Sequence, residues 1–240
     1  MKIVVADVGN IGLVVTDLVI AASPRVLGVA TGASPMSSYA EMVARRALHH
    51  DVQLCLLDEY VGLPREHSAR YRSVIVQCLI DPLHLDTHQV HSPNVDADDL
   101  HDAADRYEAD LKGLRGVDLQ ILGIGRNGHI GFNEPGTSFD TRTHVAMLSA
   151  ATRADNARYF ADPGQVPTRA ITQGLATIAA ARQIVLIATG GTKEAAITRL
   201  ATQPRSTDLP ASVLSDHPHI TVVGDRAALA GVLHLSTPTN

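Results

Sequence analysis

The feature that most constrains the fold is a series of short, mostly apolar runs rich in β-branched residues, separated by longer stretches with the pattern of amphipathic helices. The apolar runs are IVVA (3–6), VLGVA (26–30), VQLCLL (52–57), VDLQIL (117–122), QIVLIA (183–188) and HITVVG (219–224). The helix-like stretches are residues 36–50, 69–80, 96–114, 172–181 and 193–201. Buried strands that alternate with helices predict a mainly parallel sheet covered on both faces. We therefore predict a doubly wound, Rossmann-like α/β fold.

The chain of 240 residues, of which 45% are hydrophobic, is long enough to bury a sizeable core. No repeat, low-complexity tract or linker interrupts it, so we predict one domain over residues 1–240. The least regular segment is 123–171, which is rich in Gly, Pro, Asp and Thr. Long irregular segments in compact domains are usually functional. Within this segment, residues 139–168 have a composition typical of a lid.

Charge and composition exclude several classes of function. The net charge of −5 and the scattered Lys and Arg residues argue against a nucleic-acid partner. No apolar run approaches the roughly 20 residues that span a bilayer, and MKIVVADVGN lacks the pattern of a secretory signal. We expect no membrane partner and a cytoplasmic location. The two cysteines, Cys55 and Cys78, have neither disulfide nor zinc spacing and are expected to pack as small apolar groups.

Ligands of doubly wound sheets bind outside the carboxyl ends of the strands. The run VLGVA is followed there by Thr31, Gly32, Ala33 and Ser34, with Pro35 at the start of a predicted helix. Free backbone amides, hydroxyls and a helix N-terminus form a good anion site. An ordinary strand-to-helix turn capped by Ser34 is an equally good interpretation of this segment alone.

Two carboxylates, Asp58 and Glu59, follow the buried run VQLCLL directly. Burial raises the pKa of a carboxyl group toward the range of a general base. The alternative is a helix N-cap, but Gly62 and Pro64 come before any helix-like run and weaken it.

The stretch GIGRNGHIGFNEPG (123–136) follows VDLQIL and carries the most unusual composition in the chain. Its first three glycines match the dinucleotide fingerprint, but the sequence after them breaks a helix, so we do not expect a nicotinamide cofactor. The loop instead brings His129 close to Glu134. A carboxylate bonded to one ring nitrogen would leave the other to transfer protons. A surface loop with a solvated histidine is the alternative.

Two basic residues late in the chain could hold an anion. Lys193, in ATGGTKEAA, follows the run QIVLIA near the start of a helix, where a cation gains nothing from the helix dipole. An anion bound at that helix end would explain it. Arg158, in DNARYF, is the second candidate, and a solvated surface position is the alternative for both.

Taken together, TGASP, LDEYVGLP, GIGRNGHIGFNEPGTSF, TRADNARYF and ATGGTKEAA resemble the glucosamine-6-phosphate deaminase (isomerase) family in order and separation. The resemblance runs from about Val26 to Ala196 and, more loosely, over the rest. It implies conversion of glucosamine 6-phosphate and water to fructose 6-phosphate and ammonia. The chemistry is ring opening, aldose–ketose isomerisation and loss of the amine, without a metal or a coenzyme.

The resemblance also implies roles for single residues. Asp58 matches the general base that moves a proton from C2 to C1, His129 the residue that assists ring opening, and Glu134 its carboxylate partner. The groups that match the substrate phosphate site are Thr31, Gly32, Ala33, Ser34, Arg158 and Lys193.

The sequence departs from the family pattern at three places. The phosphate loop reads Gly-Ala-Ser (32–34) where a Gly-Gly-Thr type is frequent, which keeps hydroxyl and backbone donors. Asn127 stands where an aspartate is common, and an amide can orient a neighbour but carries no charge. His144 and Ala146 stand where allosteric, hexameric members have an Arg and a Lys for N-acetylglucosamine 6-phosphate. We therefore expect no such activation, and a monomer or small homo-oligomer.

Other functions remain to be weighed. The 6-phosphogluconolactonases share the fold, but they lack the sequence Phe132 to Pro135. A deaminase or isomerase for another amino-sugar phosphate, such as galactosamine 6-phosphate, differs only in pocket shape. A sugar-phosphate sensor would need a DNA-binding segment, for which no room precedes the first strand.

Overall fold

The computed structural model describes residues 1–235; residues 236–240, which belong to the predicted domain, lie outside the described part. The ten strands found there are β1 (Lys2–Val5), β2 (Val26–Val29), β3 (Gln53–Leu56), β4 (Asp58–Tyr60), β5 (Val90–His91), β6 (Leu119–Gly123), β7 (His144–Met147), β8 (Arg169–Thr172), β9 (Gln183–Ala188) and β10 (Ile220–Gly224). Seven form one sheet in the order β1-β10-β9-β6-β2-β3-β5, and every pair in it is parallel.

Helices connect these strands. The α-helices are α1 (Ile11–Ala22), α2 (Met36–Ala44), α3 (Tyr71–Ile75), α4 (Asp81–Leu83), α5 (Leu100–Gly113), α6 (Ala150–Asn156), α7 (Leu175–Ala179), α8 (Glu194–Thr202) and α9 (Ala230–Leu235). A π-helical turn, Val76–Ile80, joins α3 to α4. No described helix is long and apolar enough to cross a membrane.

The sheet buries both of its faces. Alternate residues of one strand point to opposite sides, so Leu54 and Leu56 belong to one apolar cluster while Cys55 belongs to the other. Leu186 and Ile187 of β9 divide in the same way. The prediction of a doubly wound parallel sheet with helices on both faces is confirmed.

The strand order reverses between β2 and β6. From β2 the chain adds β3 and β5 on one side, whereas β6, β9 and β10 follow on the other. The loops after β2 and β6 therefore diverge and leave a crevice at the carboxyl edge of the sheet. This crevice contains the candidate site.

A second, antiparallel sheet of three strands, β4-β8-β7, lies beside that edge. Asp58 pairs with Thr172, and Glu59 with Ile171. An aromatic cluster that includes Tyr60, Phe132 and Phe160 packs on it. The small sheet holds Asp58 against the crevice.

Several elements differ from the sequence predictions. The helix α1 was not predicted, and the segment 123–171 is less irregular than expected because it contains β7, α6 and the start of β8. The helix predicted over 172–181 is preceded by β8 and begins only at Leu175. The helix predicted over 36–50 ends at Ala44. Cys55 is buried as predicted, whereas Cys78 is partly exposed.

Candidate active site

A cavity of about 420 Å³ opens at the reversal point of the sheet. Loops after four of the parallel strands contribute to its wall, together with the helix α6 and the turn that follows it. Eight of the ten predicted site residues line it: Thr31, Gly32, Ala33, Ser34, Asp58, His129, Arg158 and Lys193. The other two, Asn127 and Glu134, contact His129 rather than the cavity.

The loop after β2 presents backbone and hydroxyl groups to the cavity. Gly32 has φ of +92°, a left-handed conformation that residues with a side chain rarely adopt. The helix α2 begins directly after Pro35, whose carbonyl accepts hydrogen bonds from the N–H groups of Ser38 and Tyr39. No side chain caps this helix, so Ser34 is not the N-cap that the alternative interpretation required. Its hydroxyl remains at the cavity.

The two neighbouring carboxylates of β4, Asp58 and Glu59, lie in different surroundings. Asp58 is only 6% exposed and lines the cavity, and no described donor is hydrogen-bonded to its side chain. Burial, with the nearby charge of Glu59, raises its pKa well above the usual range. A carboxylate in this environment is a strong proton acceptor once it is ionised.

Glu59 points away from the cavity and holds the chain instead. Its carboxylate accepts from the backbone N–H groups of Tyr60 (2.8 Å), Tyr71 (3.0 Å) and Arg72 (2.8 Å). Glu59 therefore fixes the start of α3, where the ring of Tyr71 lines the cavity beside Asp58.

The loop after β6 forms a relay behind His129. The Nδ1 atom of His129 lies 2.8 Å from Oδ1 of Asn127, whose Nδ2 donates to Oε2 of Glu134 at 2.8 Å. The distance from His129 Nδ1 to Glu134 Oε2 is 3.9 Å. The expected direct bond between His129 and Glu134 is therefore wrong, because the amide of Asn127 lies between them.

This relay determines which ring nitrogen carries the proton. A carboxylate only accepts, so the NH₂ group of Asn127 must face Glu134 and its oxygen must face the ring. That oxygen then accepts from Nδ1–H of His129 and from its backbone N–H (3.2 Å). In the neutral ring, Nε2 keeps a lone pair for a ligand in the cavity.

The charges of the relay follow from their surroundings. Burial alone would raise the pKa of Glu134, but hydrogen bonds from Thr152 and Asn127, with the nearby His129, outweigh it and lower that pKa. Burial lowers the pKa of His129, Lys193 lowers it further, and Glu134 opposes the change. At neutral pH the site therefore holds an ionised Glu134 and a neutral His129.

Three positive side chains, Arg126, Arg158 and Lys193, also line the cavity. Burial lowers the pKa of Lys193, the negative charge of Asp155 opposes this change, and the positive charges of Arg126 and Arg158 add to the effect of burial. The loop before Lys193 is fixed because Asp225 accepts from the N–H of Gly190 at 2.8 Å. Three positive side chains close together favour binding of an anion.

Several cavity residues were missed by the sequence analysis. They include Tyr71, Arg126, Thr152, Asp155, Asn156, Thr189 and Thr192. Arg126 lies inside the glycine-rich loop and forms an ion pair with Asp155, and this charge is the signal that could have indicated it. Tyr71 gives no such signal, since twelve residues separate it from Glu59. No group of three or more described His, Cys, Asp or Glu side chains has the arrangement of a metal site.

The sequence matches the family of glucosamine-6-phosphate isomerases and 6-phosphogluconolactonases over residues 14–223. A glucosamine-6-phosphate deaminase of Pseudarthrobacter chlorophenolicus is 48% identical over 210 residues, covering 86% of this chain and 81% of the relative. One of Rhodococcus jostii is 44% identical over 236 residues, covering 95% of this chain and 91% of the relative.

Solved structures give the same result for the fold. A monomeric glucosamine-6-phosphate deaminase superposes with a TM-score of 0.92 at 35% identity, over 96% of this chain and 100% of the other. The 6-phosphogluconolactonase of Trypanosoma cruzi has a TM-score of 0.77 at 17% identity, over 96% of each chain. The second likeness concerns the fold alone.

Proposed function

The chain belongs to the family of glucosamine-6-phosphate isomerases and 6-phosphogluconolactonases, and we infer that it is a glucosamine-6-phosphate deaminase. It converts glucosamine 6-phosphate and water to fructose 6-phosphate and ammonia. The observation that carries this inference is one cavity with a buried carboxylate, a histidine of fixed tautomer and a cluster of cations. Relatives that are 42–48% identical and carry this name support it.

The geometry supports separate roles for His129, which opens the sugar ring, and Asp58, which moves the C2 proton. Nε2 of His129 moves a proton between the C1 hydroxyl and the ring oxygen, which opens the sugar. Asp58 takes the proton from C2 and returns it at C1, while the C2 ammonium group gives up one proton and O1 gains one. C1 then carries a hydroxyl group and the C2 amine has become an iminium ion. Water adds to C2 and ammonia leaves, which gives the ketose. Each step uses acid–base groups that lie at the cavity or directly behind it.

The phosphate is bound by Arg158 and Lys193 with Thr31, Gly32, Ala33 and Ser34. The phosphate dianion is remote from the reacting carbons, and its binding holds those carbons in place. This positioning removes a large part of the activation free energy. Thr189 and Thr192 also line the cavity and carry hydroxyl donors.

The reaction itself is tested by measuring ammonia and fructose 6-phosphate from the purified protein and glucosamine 6-phosphate. We expect both products in equal amounts. If 6-phosphogluconolactone is hydrolysed instead, the lactonase alternative is correct. If only galactosamine 6-phosphate reacts, the chain is a deaminase of the other epimer. Binding of the sugar phosphate without any product would favour a sensor.

Replacing Lys193 by methionine is expected to raise KM for glucosamine 6-phosphate by about 10- to 100-fold with a smaller change in kcat, since a hydrogen bond to a charged group is lost from both ground and transition states. Steady-state kinetics measure both values. The matched control, Lys112→Met, removes an exposed lysine of α5 and should change neither. A collapse of kcat at unchanged KM would place Lys193 at the reacting carbons instead.

The protein is further proposed to lack activation by N-acetylglucosamine 6-phosphate. His144 lies on β7 with Nδ1 at 2.9 Å from the carbonyl oxygen of Arg142, and Ala146 is buried beside it. These side chains offer a phosphate dianion far less than two fixed cations. We expect hyperbolic kinetics that the compound leaves unchanged at non-inhibitory concentration, in a monomer or small homo-oligomer located in the cytoplasm. Sigmoidal kinetics that become hyperbolic on its addition would contradict this.

Residues 139–168 are proposed to act as a lid within the single domain. This segment carries Asp155, Asn156 and Arg158 to the cavity. Asp155 pairs with Arg126, and Nδ2 of Asn156 donates to the hydroxyl of Tyr60 at 2.8 Å. Opening of the lid would break these contacts, together with the hydrogen bonds from Ser149 and Thr152 to Glu134 and the packing of Phe160 in the aromatic cluster.

A further inference from the structure

The first turn of α6 contacts the carboxylate of Glu134. Oε1 of Glu134 accepts from the hydroxyl of Thr152 in a short hydrogen bond and from that of Ser149 at 3.0 Å. Thr152 is 5% exposed. Ser149 is also the N-cap of α6, since its hydroxyl accepts from the N–H of Thr152 at 3.1 Å. The proton transfers described above use neither hydroxyl directly.

These two hydroxyls act on His129 through Glu134. While Glu134 is ionised, the NH₂ group of Asn127 must face it, and the ring proton of His129 stays on Nδ1. A protonated Glu134 could donate to the amide oxygen instead. Asn127 would then turn over, its NH₂ group would face Nδ1, and the ring proton would move to Nε2. The lone pair at the cavity would be lost.

The same short helix also reaches the cavity. Asp155 and Asn156 lie in its last turn, and Arg158 follows in the next turn of the chain. The first turn therefore contacts the group that orients His129, and Thr152 in it also lines the cavity, while the last turn leads to Arg158 of the predicted phosphate site.

We propose that Thr152, assisted by Ser149, is a positioning residue that keeps Glu134 ionised and so holds His129 in the tautomer that opens the sugar ring. This rests on the proposed function. Few described charged groups face the relay of His129, Asn127 and Glu134. Nδ1 of His129 lies 3.9 Å from Oε2 of Glu134, and the charges of Lys193 and Asp155 act on His129. The hydroxyl of Thr152 is a neutral donor to Oε1 of Glu134. This hydrogen bond is stronger when the carboxyl group is ionised, so it favours the ionised form.

The test compares Thr152→Val, which keeps the shape and removes the hydroxyl, with Thr152→Ser, which keeps the hydroxyl. For Thr152→Val we expect kcat to fall by about 10-fold or more at nearly constant KM. The pKa of Glu134 rises when a donor is lost, so the acidic limb of the kcat profile moves to higher pH. Thr152→Ser should recover most of the rate. The matched control, Thr202→Val on the exposed side of α8, should behave as wild type.

A second readout does not depend on turnover. The ¹⁵N spectrum of histidine in the ligand-free protein reports which ring nitrogen carries the proton, and His129→Gln identifies the signal. Wild type and Thr152→Ser should show the proton on Nδ1, whereas Thr152→Val should show exchange with the Nε2 tautomer. If Thr152→Val does not fold, Ser149→Ala should show the same changes at smaller size.

The outcomes separate the two proposals. A wild-type protein without deaminase activity, in which Thr152→Val still alters the His129 signal, would refute the function and leave the positioning role intact. An active wild type with a Thr152→Val variant of equal kcat, pH profile and His129 signal would refute the positioning role. Equal losses of kcat in Thr152→Val and Thr152→Ser would show that Thr152 contributes only by packing, which would refute the positioning role.

Discussion

Asp58→Asn is expected to reduce kcat for glucosamine 6-phosphate by about 10³-fold, within the range that a positioned acid–base group contributes. The amide has the size of the carboxyl group but cannot take the proton from C2. Ammonia release measures the loss, and exchange of the C2 proton with deuterated solvent measures the step itself. The control, Asp98→Asn, changes an exposed carboxylate and should retain full activity. Retention of C2 exchange by Asp58→Asn would assign the base to another group.

The same variant should be more stable than the wild type at neutral pH. The pKa of Asp58 in the folded protein is raised above its ordinary value of 3.8, so the folded state binds the proton more tightly than the unfolded state. Its ionisation therefore costs stability as pH rises from about 3.8 through the raised pKa, and the full cost remains above it. Asparagine carries no such cost. We expect Tm to rise by about 2 °C or more at pH 7, and the difference to vanish below about pH 3.8.

Gly125→Ala is expected to lower kcat by about 100-fold although it adds one methyl group. The ring of His129 packs directly on Gly125, and a Cβ atom there would lie 2.2 Å from Cε1 of the ring. Either the ring or the loop must move by about 1 Å, and a misplacement of that size lowers the rate by roughly 100-fold. The bond from Nδ1 to Asn127 would be lost with it.

Kinetics with the Gly113→Ala control distinguish this from a general effect of the substitution. Gly113 ends α5, and nothing lies within 4 Å of an added Cβ. That variant should keep its activity. If Gly125→Ala also keeps wild-type kcat, then the position of the His129 ring does not limit the reaction.

The buried strands were predictable because a parallel sheet covered on both faces requires uninterrupted apolar runs. The run VLGVA matches β2, Val26–Val29, and QIVLIA matches β9. The helix α1 was missed since its sequence, IGLVVTDLVIAA, is rich in β-branched residues and has one charged position, Asp17. Packing against α2 and the sheet makes it helical despite that composition.

For the site, the sequence identifies residues that a loop brings together but not the contacts among them. His129 and Glu134 are near in sequence, yet the amide of Asn127 lies between them. Thr152 is 18 residues from Glu134, and no local pattern connects the two. Strand β8 pairs with β4 over three residues and with β7 over four, so the existence of β7 and β8 depends on tertiary contacts that no window of sequence contains.

The alternation of Asp58 and Glu59 makes the register of β4 decisive for activity. A slip of one residue against β8 would place Glu59 in the cavity and Asp58 under α3, because successive side chains point to opposite faces. Such a protein could fold with Asp58, the proposed base, outside the cavity. A strand of three residues resists the slip poorly by itself, but Gln173 clamps the preceding turn, its N–H on the carbonyl of Leu57 (2.8 Å) and its Nε2 on that of Leu56 (2.9 Å). Gln173, a buried glutamine, thus helps to fix the register that places Asp58, the proposed base, at the cavity.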